Sequence, residues 1–162
     1  MPCTGSVDFA IIRRALSDRP DGGWRVAVMT NDRMELVHPV KGCAMLVRNA
    51  FADLVHAASL AVGMAGTANE QAVGCGLPLI VVPGAGNQGV AYVRMKRRWY
   101  GPAALHLSRD AKAVAAALEA LHDDTAMQAS MRAAGRARMG VPGASDAIAQ
   151  AIRAELDRTR HA

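Results

Sequence analysis

Residues 77–82 (LPLIVV) constrain this chain more than any other stretch. The run is apolar and β-branched without alternation, the pattern of a strand buried on both faces. Glycine-rich segments bracket it, GMAGTANEQAVGCG before and PGAGNQG after. Upstream, 60–64 reads as a second short buried strand, and Thr67–Gly74 as a helix stopped by Gly74 and Gly76. Downstream, 87–100 reads as a helix and 103–107 as another strand. Strands alternating with helices imply an α/β domain with a largely parallel sheet.

The flanks extend this pattern. Residues 7–18 read as a helix with Phe9, Ile12 and Leu16 near one face, broken by Pro20, Gly22 and Gly23. Residues 24–30 (WRVAVMT), 35–39 and 44–47 read as strands, and Asn49 as the cap of a helix over 50–58. After 107 the chain reads as helical. Asp110 caps 111–122, a second helix covers 126–139, and Ser145 caps a last one with Ile148, Ile152 and Leu156 on one side. The 162 residues suit a single domain over 1–162, its helical tail 110–162 packing on the sheet.

Composition narrows the function classes. Hydrophobic residues make up 51% and charged residues 20%, a globular balance, while 4% aromatic content makes the core aliphatic. The net charge of +5 suits nucleic acid, an anionic membrane surface or a phosphorylated ligand. Its local cluster, Arg94, Lys96, Arg97 and Arg98 ahead of Trp99 and Tyr100, reads more readily as a solvated helix face with aromatics tucked under it than as a nucleic-acid surface. The start shows no secretory pattern, and no apolar stretch approaches the roughly 20 residues that span a bilayer. Cys3, Cys43 and Cys75 form neither a disulfide framework nor a zinc spacing, which points to a reducing, cytoplasmic location. The histidines (38, 56, 106, 122 and 161) lack HExxH spacing, and neither GK[ST] nor GxSxG occurs. No catalytic residue and no metal site emerge.

Ligands of parallel α/β sheets bind beyond the carboxyl ends of the strands. The loops 63–66 and 84–89 each follow a strand, so they are expected on one edge of the sheet. Gly63 and Gly66 let the backbone turn and approach a ligand without a Cβ in the way. Thr67 opens a helix whose free N–H groups and dipole favour an anion such as a pyrophosphate. Glu70 and Gln71, one turn in, can reach vicinal hydroxyls, as on a ribose. The plain alternative has the glycines as tight turns, Thr67 as an N-cap and Glu70 as a solvated residue. A rival site lies in Gly84, Gly86 and Gly89, a GxGxxG with Asp110 a further 110 − 89 = 21 residues on, the skeleton of an NAD-binding fingerprint. Pro83 interrupts its entry, Asp110 looks like a helix cap, and only one strand follows, where a dinucleotide fold continues with several.

The segments GMAGTANEQAVGCGLPLIVVPGAGNQ, RRWYGPAALHL and RMGVPGASDAIA resemble the C-terminal part of lipid-A-disaccharide synthase-like proteins. These are GT-B glycosyltransferases, a class that includes the peptidoglycan N-acetylglucosaminyltransferase and UDP-N-acetylglucosamine 2-epimerase. The resemblance spans roughly residues 24 to 153, with 63–88 its specific part. It implies a doubly wound, mostly parallel Rossmann-like half that binds the nucleotide of a UDP-sugar, a substrate rather than a cofactor. Gly63, Gly66, Thr67, Asn69, Glu70 and Gln71 would hold the donor nucleotide, and Gly84, Gly86, Asn87 and Gln88 the sugar and phosphates. The family's ribose glutamate, seven residues before the proline of GLP, falls on Gln71, with Glu70 beside it. The acceptor half and the first central strand of the donor half have no counterpart here. The gap is filled, or 24–30 pairs beside 60–64, or a partner supplies a strand. The resemblance thus implies a fragment or subunit of a hexosyltransferase, inactive alone and joined to an N-terminal acceptor half or separate subunit. It implies no nucleic-acid partner, and membrane contact only through that partner or a lipid acceptor.

Overall fold

The computed structural model describes residues 9–17, 23–64, 66–84 and 88–160. They fall into two compact units, divided after Leu54.

In the first unit, α1 (Phe9–Ser17) packs on an antiparallel sheet, β1 (Arg25–Met29), β2 (Arg33–His38) and β3 (Gly42–Val47), in the order β1-β2-β3. The links 30–32 and 39–41 are hairpin-short, and parallel strands need a crossover of a dozen residues or more. Alternation along β2 sends Met34 and Leu36 to the covered face, where Phe9, Ile12, Leu16 and Trp24 meet them. Of the three alternatives for the missing strand, pairing of 24–30 beside 60–64 is not the one found, since the two strands belong to different sheets. β1 pairs with β2, its register shifting between Val26 and Val28. Asn49 is not a cap for α2 (Phe51–Ala57) either. Its φ of 56° is left-handed, whereas an N-cap takes an extended backbone.

The second unit is a mixed α/β fold around a small parallel sheet, β4 (Ala61–Gly63), β5 (Leu79–Val81) and β6 (Ala104–His106). The helix α3 (Thr67–Gly74) joins β4 to β5, and α4 (Val90–Tyr100) with a 3-10 turn (Gly101–Ala103) joins β5 to β6. Three helices follow, α5 (Ala111–Asp123), α6 (Thr125–Met139) and α7 (Ala144–Arg160). As its pattern demanded, β5 is buried on both faces. Leu79 and Val81 pack with Val73, Tyr100 and Ala103, while Ile80 packs with Leu121 and Met131. Each such side chain contributes roughly 1.5–3 kcal/mol.

The GCGLP stretch stops α3 by backbone geometry. Gly76, at φ +84°, donates its N–H to Val73 O (2.9 Å), and Leu77 donates to Ala72 O (2.9 Å). This is a Schellman closure, sealed by contact of Leu77 with Ala72. Asp110 caps α5 as expected, Oδ1 accepting from Lys112 N at 3.0 Å, and Asp124 caps α6 from Met127 N at 2.7 Å. The expectation for Ser145 fails, because α7 begins at Ala144 and Ser145 lies inside its first turn. Of the tail, α5 and α6 cover the sheet through Leu121 and Met131. None of the residues of α7 is buried, and Ile148, Ile152 and Leu156 are exposed.

Candidate functional site

The two glycine-rich loops leave the carboxyl ends of adjacent parallel strands, since Gly63 lies opposite Val81 in register. Val82 N donates to Gly63 O (3.1 Å), carrying the ladder past β5. A Cβ on Gly84 would sit 3.2 Å from Met64 O, so the second loop starts directly against the first. Gly84 N donates to Gln88 O (2.8 Å) and closes that loop on itself. Gly86 and Asn87 lie outside the described residues.

Two helices start at this edge without a side-chain cap. Gly66 precedes α3, its carbonyl accepting from Asn69 N (3.0 Å) and Glu70 N (3.3 Å), and Gly89 precedes α4. Thr67, expected to open the helix, is its first residue and is exposed. The next helix along the edge, α5, has its start occupied by Asp110.

What surrounds the glycines differs from the expectation that they clear room for phosphates. A Cβ on Gly63 would overlap the Asn69 side-chain oxygen, and Asn69 is only 4% exposed. A Cβ on Gly66 would lie 2.6 Å from the Tyr92 hydroxyl. The chain's own Asn69 and Tyr92 therefore occupy the space that both glycines leave. Asn69 is a packed residue under the turn, while Gln71 is exposed on the outside of α3.

Glu70 turns toward α4, where its Oε1 is ion-paired with Lys96. Lys96 is 7% exposed. Its ammonium lies 3.6 Å from the Trp99 ring centroid and 5.5 Å from that of Tyr92. An ammonium over aromatic faces is held by the ring quadrupole. Beneath this group, Tyr100 stacks on His106 at 6.1 Å between centroids. Among the described residues, neither the Tyr100 hydroxyl nor either His106 ring nitrogen has a hydrogen-bond partner. Burial pushes the Tyr100 phenol up to about 12, with the charges of Glu70 and Tyr92 adding to the rise. Burial also lowers His106 from its ordinary value, helped by Arg97.

The basic run behaves as the sequence suggested in one respect. Arg94, Arg97 and Arg98 face solvent, and Tyr100 is tucked under. Sequence reasoning missed Lys96, Tyr92 and His106. The spacing of Tyr92, Lys96 and Tyr100 at i, i+4 and i+8 carried the signal, since it puts all three on one helix face. His106 is the last residue of β6, at the same carboxyl edge as Gly63 and Val81. Among the described residues, no group of three or more His, Cys, Asp or Glu could hold a metal ion. No described helix is long and apolar enough to cross a membrane.

Compared with known proteins, the chain matches no family model, no curated protein and no solved structure.

Proposed function

We propose that the second unit binds the nucleoside diphosphate of a sugar donor, a UDP-sugar by the resemblance of residues 63–88. On this reading it is the donor half of a GT-B glycosyltransferase of the lipid-A-disaccharide synthase-like kind. One observation carries the proposal: two helices with glycine N-caps and no side-chain caps begin at the carboxyl ends of adjacent parallel strands. Uncapped starts leave N–H groups and positive dipole ends for an anion. The Glu70 carboxylate and Gln71 amide stand one turn beyond the first of these starts. Gly63, Gly66, Thr67, Gly84 and Gln88 line the turns, while Asn69 supports them from below.

The catalytic group belongs to an acceptor-binding half or a separate subunit, so the chain alone turns nothing over. Its location on this reading is cytoplasmic, with membrane contact only through that partner or a lipid acceptor. The NAD alternative is the less favoured reading, because Asp110 serves as the N-cap of α5, its Oδ1 accepting the Lys112 amide.

Calorimetry of the purified chain with UDP, UDP-N-acetylglucosamine, GDP and NADH tests the reading. Uridine nucleotides bind, and NADH does not. Losing one charged hydrogen bond in Glu70→Ala weakens UDP by roughly 1.5–3 kcal/mol, about tenfold to a hundredfold. A folded chain that binds NADH and ignores UDP overturns the proposal.

A further inference from the structure

We infer that Lys96 is the positioning residue of this site, fixing the Glu70 carboxylate so that the unit distinguishes a ribonucleotide from its 2′-deoxy counterpart. The inference rests on the nucleotide reading above and goes beyond it by assigning the sugar discrimination to a buried lysine.

Three observations carry it. First, the Lys96 side chain is 8% exposed against 30% for Glu70, so the lysine acts through the glutamate rather than touching a ligand. Second, its ammonium has three partners that make up a box around it, the Trp99 ring at 3.6 Å, the Tyr92 ring at 5.5 Å and Glu70 Oε1, to which it donates. A buried ammonium needs such partners, and they hold it in one place. Third, Tyr92 links this box to the phosphate turn, because its hydroxyl lies beside Gly66.

The chemistry follows from charge and geometry. With Oε1 held by the ammonium, Oε2 keeps its acceptor sites for vicinal ribose hydroxyls. Without Lys96 the Glu70 side chain regains its rotamer freedom and must lose it again on binding.

The test is calorimetry of the whole chain with UDP, 2′-deoxy-UDP and inorganic pyrophosphate, for wild type, Lys96→Met, Lys96→Arg and Trp99→Leu. Wild type prefers UDP over 2′-deoxy-UDP by about tenfold, the worth of one hydrogen bond to a charged group. Lys96→Met loses that preference while pyrophosphate binds as before, and Lys96→Arg restores it. Trp99 is exposed and lies outside the buried core. Should Lys96→Met not fold, Trp99→Leu reads the same point with a several-fold drop in preference. A merely structural lysine weakens all three ligands together, and that result overturns the inference. An unchanged preference in Lys96→Met, or in Trp99→Leu where Lys96→Met does not fold, also overturns it while leaving the nucleotide reading intact. A wild type that binds none of the three ligands overturns both.

Discussion

At the scale of single residues, the site rests on contacts that composition conceals. The glycine positions were legible as turns, because only glycine permits such close approach. What approaches them was not, since Asn69 and Tyr92 become neighbours of Gly63 and Gly66 only once β4, α3 and α4 are packed. Lys96 was hidden in a run of cations that reads as solvated. Two groups, buried Tyr100 and half-buried His106, contribute to the pH dependence of stability. Tyr100 holds its proton to about pH 12 in the fold but only to about 10 when unfolded. The folded state therefore binds more protons between those values, and stability falls as pH rises from about 10 toward 12. His106 runs the other way. Its folded value is lowered, so the unfolded state takes up the proton first and stability falls as pH drops below 6.5. Denaturant melts across pH should show both losses. Tyr100→Phe removes the alkaline one and, by deleting an unpartnered hydroxyl, leaves neutral-pH stability equal or higher. His106→Phe removes its share of the acid one.

At the scale of elements, local rules worked wherever the decisive partners were near in sequence. The extent of α3 matched, because glycine starts it and Gly76 closes it. Asp110 was read correctly as a cap, and replacing it by Ala should lower stability by about 1 kcal/mol in urea melts. The buried β5 was legible from its uninterrupted apolar run. The strands of the meander β1–β3 were legible but their pairing stayed open, because alternation fixes a strand and not its partner, although the three-residue links favoured hairpins. Ser145 misled because a hydroxyl residue near a helix start need not be the residue that precedes it. One long-range contact lay beyond any local rule. Gly135 of α6 lies against α3 so closely that a Cβ would sit 2.7 Å from Val73 O. Gly135→Ala should therefore cost about 1–3 kcal/mol, as overpacking does, with the loss visible in the denaturation midpoint.

At the scale of the molecule, the chain divides into two compact units with separate cores. The sequence showed no linker at the division, because α2 (Phe51–Ala57) runs through it as ordinary helix. A chain starting at residue 49 keeps α2 whole and should fold on its own, with one cooperative transition in melts and the nucleotide affinity of the full chain. Broad, non-cooperative melting of that piece would show that the second core depends on the first. The parallel three-stranded sheet and its flanking helices were foreseeable from the alternation of elements, and the donor-binding role is the proposal that best uses their carboxyl edge.

Backbone amide shifts on UDP addition, read by NMR on the intact chain, test that proposal most directly. The account predicts saturable shifts largest at Gly66, Thr67, Gly84 and Gln88, with little change along the basic α1. No saturable shift, or shifts centred on the exposed arginines of α4 or α1 and abolished by salt, would contradict it.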